Sequence, residues 1–89
     1  MKQLVGIYNR ATDYIAGKDI DPVAILEDAA DVYVKYGTEM PEELTDTFSN
    51  CMLFINKDFD KPMRFDEYVD YGDELIEDLC GTIGKYLNN

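Results

Sequence analysis

The stretch Asp21-Pro22-Val23-Ala24-Ile25-Leu26-Glu27-Asp28-Ala29-Ala30-Asp31-Val32-Tyr33-Val34-Lys35-Tyr36-Gly37 decides the fold. Asp21 has the short acceptor side chain that caps a helix start. Pro22 suits the first helical position, where a missing N–H leaves no bond unmade. Ile25, Leu26, Ala29, Val32, Tyr33 and Tyr36 then recur at the spacing of one helix face until Gly37 ends the run. A helix with one apolar face must bury it against something, and the sequence on either side supplies the partners.

Upstream, residues 2–16 repeat the rhythm with Leu4, Ile7, Tyr8, Ala11 and Ile15, and Gly17 follows where a helix end takes a left-handed residue. Downstream, Pro41 opens a third helix, with Glu42 and Glu43 near its positive end and Leu44, Phe48, Cys51, Met52 and Ile55 on its apolar face. A fourth helix is expected over residues 64–87, marked by Phe65, Tyr68, Val69, Leu75, Ile76, Leu79, Ile83 and Leu87. Gly72, Gly81 and Gly84 inside it signal a bend or a close helix approach. Sustained strand alternation is absent. Four such elements joined by short connections predict an all-α, antiparallel up-down four-helix bundle, one domain over residues 1–89. Ile25, Leu26, Phe48, Ile55, Leu75, Ile76 and Leu79 are its expected core.

Eighty-nine residues bury a thin core and leave little room for a deep cleft. Eight basic residues against nineteen acidic ones give a net charge of −11, which argues against nucleic acid and unaided anionic lipid as partners. Histidine is absent, and the single serine, Ser49, lies in a helical pattern. The commonest general base, the commonest metal ligand and the usual near-neutral switch are therefore missing. No catalytic residue, metal site, cofactor or small-molecule substrate is expected. The N-terminal residues contain no long apolar run, so the chain is read as cytoplasmic.

Two cysteines are too few for a secreted scaffold. Pairing the third and fourth helices about their connection puts Cys51 near Val69, about 16 Å from Cys80 at 1.5 Å per residue. That exceeds the roughly 7 Å a disulfide tolerates, so both are expected as free thiols in the core. Residues 56–67 carry oxygen donors at positions one, three, five and twelve of a calcium loop (Asn56, Asp58, Asp60 and Glu67). Lys61, Pro62 and Arg64 occupy positions where such a loop needs glycine or an oxygen donor, which favours a plain helix connector.

Charge is unevenly spread. The first 18 residues carry Lys2, Arg10 and Lys18 against Asp13 alone, whereas Asp66, Glu67, Asp70, Asp73, Glu74, Glu77 and Asp78 crowd the fourth helix. These acids form either a solvated face or a docking strip for a basic partner. Three of the eight bases, Lys57, Lys61 and Arg64, gather at the connector beside Phe59, Phe65 and Tyr68. Aromatic contact area next to charge suits a protein interface. The candidate partner-binding residues are Phe59, Lys61, Arg64, Phe65 and Tyr68.

The segment Lys61-Pro62-Met63-Arg64-Phe65-Asp66-Glu67-Tyr68, continued by Asp73-Glu74-Leu75-Ile76-Glu77-Asp78-Leu79 and Ile83-Gly84, resembles the last helix of pediocin-like bacteriocin immunity proteins, the enterocin A immunity group in particular. Ile7-Tyr8-Asn9, Ile25-Leu26 and Val32-Tyr33 resemble that group's first two helices. The resemblance implies a cytosolic four-helix bundle that protects a producing cell from its own pore-forming peptide. It would do so by acting on the bacteriocin-bound membrane receptor, the mannose phosphotransferase permease. It also implies that selectivity resides in the C-terminal half, here the end of the third helix, the connector and the fourth helix. The competing reading is an acidic inhibitor of phage type, a DNA mimic occupying a nucleic-acid-binding enzyme. Small size and carboxylates spread over helices suit that role.

Overall fold

The computed structural model describes residues 2–57 and 63–88 and is all-α over them. Four helices follow in order: α1 (Lys2–Ile15), α2 (Pro22–Tyr36), α3 (Glu42–Ile55) and α4 (Phe65–Leu87). Each boundary has a local cause. α1 ends in a paired-bond turn in which Gly17 N–H donates to the Tyr14 carbonyl and Lys18 N–H to the Asp13 carbonyl, each at 3.0 Å. Gly17 sits at φ +91°, a conformation glycine adopts without the Cβ penalty.

Asp21 caps α2 as its sequence position predicts, its carboxylate accepting from Val23 N–H at 3.0 Å. Pro41 stands one residue before α3 rather than in its first turn, and the hydroxyl of Thr45 donates to its carbonyl at 3.1 Å. α3 closes on Lys57 at φ +56°, a non-glycine residue in the left-handed region. Asp66 and Glu67 occupy the first turn of α4, where the helix dipole favours negative charge.

The helices pack around a common core, with α1 against α2 and α4, α3 against α2 and α4, and α2 also touching α4. Leu4, Ile7, Ile25, Leu26, Phe48, Leu75, Ile76, Leu79 and Ile83 are almost wholly excluded from solvent. Six of the seven expected core residues are buried as predicted. The seventh, Ile55, is only half-buried, and Phe54 takes its place at 2% exposure. Met52-Leu53-Phe54-Ile55 is one continuous apolar run, so spacing from Cys51 alone does not choose between 54 and 55. The choice is made by α4. Gly72 leaves the space that the Phe54 ring fills, since a Cβ there would lie 3.1 Å from Phe54 Cζ. Gly84 likewise admits Tyr8 of α1, so both glycines mark close helix approach. Met40, in the short connection before α3, is buried as well, at 8% exposure.

Two expected apolar faces are shorter than their sequence pattern. Ile15 at the end of α1 is 49% exposed, and on α4 Phe65, Val69 and Leu87 are exposed too. Named contacts give the register. Tyr8 lies against Gly84, Thr12 Oγ1 is 3.4 Å from Cys80 Sγ, and Tyr14 donates to Asp73. On the other flank, Thr47 Oγ1 is 3.4 Å from Thr82 Oγ1, and Phe54 stacks on Tyr68. α3 therefore meets α4 several residues further along than a pairing of Cys51 with Val69 requires, and the first two turns of α4 run past the α1 contacts. Among the described residues no helix is long and apolar enough to cross a membrane.

Candidate functional site

The expected contact surface falls at the start of α4. Phe59 and Lys61 lie outside the described residues. The other three are placed very differently from one another. Phe65, the first residue of α4, is 83% exposed, so it does not close the bundle core. Tyr68, one turn on, is half-buried and stacks on Phe54 with ring centroids 4.2 Å apart and planes 19° apart. Tyr71 meets the same Phe54 ring edge-on at 5.8 Å. Phe54, Tyr68 and Tyr71 thus seal the core at this end. Sequence spacing placed Tyr68 here but missed Phe54.

Arg64 does not present a bare cation. Its Nε donates to Glu67 Oε1 at 2.7 Å and lies 3.6 Å from Asp66 Oδ1, folding the guanidinium over its own helix start. The same contact occupies Glu67, the twelfth position of the calcium-loop pattern. Asp58 and Asp60 of that pattern lie outside the described residues, and no metal-ligand cluster occurs among those described. Lys57, Met63, Phe65 and Tyr68 line an open cleft of about 420 Å³, so two of the expected residues share one surface.

The acidic row is displayed as its spacing predicts. Asp66, Glu67, Asp70, Glu74, Glu77 and Asp78 are exposed and Asp73 is half-buried. Asp73 accepts a 2.7 Å hydrogen bond from the Tyr14 hydroxyl of α1. That bond, with burial and the carboxylate charge, raises the tyrosine's pKa above its usual 10. Nearby, Arg10 of α1 pairs with Asp28 of α2, and Lys18, just past the end of α1, pairs with Asp13 at 3.1 Å.

Both cysteines are free, as expected, but they occupy different settings. Cys51 is fully buried, and burial with the nearby Asp78 charge pushes its thiol up to about 12. It is held protonated at neutral pH, the reverse of an activated nucleophile. Cys80 is half-buried, facing α1 through Thr12.

A second open cleft, about 380 Å³, runs between α1 and α2 past Gly6, Ile7, Arg10, Asp28, Val32 and Lys35. Its one aromatic ring, Tyr36, is half-buried, and its Arg10–Asp28 ion pair bridges the two helices at the surface, with the two side chains 40% and 44% exposed. The start of α4 therefore carries the most exposed aromatic side chain among the described residues, beside a dense run of acidic charge. No family model, curated protein or solved structure matches the chain.

Proposed function

We propose that this chain is a non-catalytic binding protein of the bacteriocin-immunity type, built as an antiparallel up-down bundle. The pairs Tyr8–Gly84, Thr12–Cys80 and Tyr14–Asp73 support that topology, because α1 positions rise as α4 positions fall. The protein works in the cytosol, holding a bacteriocin-bound permease in a closed complex. Such protection needs contact area and slow dissociation rather than chemistry.

One observation carries this reading. Phe65 stands 83% exposed at a helix start whose next aromatic, Tyr68, is half-buried and stacked on Phe54. A large apolar ring in that position gains nothing for folding, and its removal from water on binding is worth about 1.5–3 kcal/mol. The test is expression in a cell sensitive to pediocin-like peptides, read as survival across a broad peptide panel. The native chain protects against at least one peptide, while the exchange Lys61→Glu with Arg64→Glu weakens protection and leaves the circular dichroism spectrum unchanged. Absence of protection across the panel sinks the reading.

The acidic-inhibitor reading has its own support in the row of exposed carboxylates on α4. Affinity capture separates the two. A sugar permease recovered from the membrane fraction favours immunity, and a soluble enzyme that releases the chain on addition of DNA favours mimicry.

A further inference from the structure

Phe65, Val69, Gly72 and Ile76 lie on one stripe of α4, at spacings of four, three and four. Gly72 and Ile76 are buried, whereas Val69 is 43% and Phe65 83% exposed. This stripe thus continues for two turns past the α1 contacts, while Tyr68 on its flank stays packed on Phe54 of α3. Beside it, at the same spacings, runs a second stripe made of Asp66, Asp70, Asp73 and Glu77. Asp66, Asp70 and Glu77 are exposed, and Asp73 is half-buried under Tyr14. Ile15, 49% exposed at the end of α1, lines a cleft with Asp73 and Glu77. Lys18 lines that cleft too, but its ammonium is paired with Asp13.

We infer that this overhanging face of α4 is a docking site for a cationic amphipathic helix. Its apolar side covers Phe65 and Val69, and its lysines or arginines lie along the carboxylate row. Two parallel stripes, one apolar and one acidic, match a partner helix whose apolar and basic positions alternate by three and four. Charge decides against a second copy of this chain. A self-complementary contact here sets the same acidic rows against each other, on molecules that each carry −11. The inference stands on the described side chains and does not depend on the immunity reading.

The probe is a synthetic helix of leucine and lysine, about four turns long, with a shuffled peptide of equal composition and a leucine–glutamate version as controls. The amphipathic lysine peptide binds saturably, and more weakly as salt rises. Phe65→Ala weakens it about tenfold. Asp70→Asn with Glu77→Gln weakens it and flattens its salt dependence. Because these side chains are exposed, the variants keep the native circular dichroism spectrum. Equal affinity for the shuffled peptide, or undiminished binding by Phe65→Ala, overturns the site. So does a concentration-dependent dimer that Phe65→Ala abolishes, which makes a second copy the occupant. Peptide binding without cellular protection counts against the immunity reading alone, and protection without peptide binding counts against this site alone.

Discussion

Two side chains show how this chain handles polar groups near its core. The Tyr14 hydroxyl reaches across from α1 to the Asp73 carboxylate, tying two helices at a point where both groups are only half-buried. Removing it with Tyr14→Phe costs below about 1 kcal/mol, because water replaces part of the bond. Its pH dependence is more telling. The folded pKa is raised, so the contribution is complete below the unfolded value of 10 and is lost as pH rises through the folded value. The native chain therefore loses more stability than Tyr14→Phe between neutral pH and pH values above 10, as chemical denaturation at each pH would record. Cys51 behaves with the same sign, since its thiol must ionise on unfolding before it does in the fold. A thiol reagent at neutral pH accordingly modifies Cys80 first, and Cys51 only as the chain opens. Simultaneous modification of both in the folded protein contradicts this placement.

At the scale of the element, α4 sets the terms on which the other helices pack. Gly81 has open space around its missing Cβ, whereas a methyl group at Gly72 meets the Phe54 ring at 3.1 Å. That ring is held between Tyr68 and Tyr71 and cannot readily give. Gly81→Ala therefore stabilises by about 0.5–1 kcal/mol, through helix propensity. Gly72→Ala destabilises by about 1 kcal/mol despite the same propensity gain, because overpacking wins. Urea midpoints for the two variants should move in opposite directions.

Caps and breakers made the helix boundaries readable: the expected end of the first helix at 16 and the expected starts at Pro22, Pro41 and Arg64 fall within a residue of those observed. The phase of α3 was not readable from spacing, since four consecutive apolar residues close it and only Gly72 on another helix selects Phe54. The exposure of Phe65 was likewise hidden. Its spacing is that of a core residue, and only the length of α1 and the register between helices leave it uncovered. Arg64, Asp66 and Glu67 were all placed by the sequence, but not the fold-back of the guanidinium onto those two carboxylates.

For the whole molecule, hydrophobic burial and charge repulsion oppose each other. Leu75 is 1% exposed in the centre of the core, and Leu75→Ala costs about 2–5 kcal/mol through the cavity it leaves. Against that core works a surface of −11 whose ion pairs among the described residues are largely solvent-exposed and individually worth little. Screening consequently favours the folded state, and Tm rises by a few degrees between about 10 mM and 150 mM salt. A falling Tm over that range makes attraction, not repulsion, the dominant surface term.

The same imbalance bears on function, because an acidic body with one apolar overhang both steers a basic partner and fixes where it settles. The measurement that tests this most directly is a residue-resolved NMR titration of the full chain with the leucine–lysine helix. Amide shifts concentrated at residues 63–77 and at Ile15, with the α1–α2 cleft unmoved, are the predicted result. Shifts centred on that cleft, or scattered evenly over every acidic residue, contradict it.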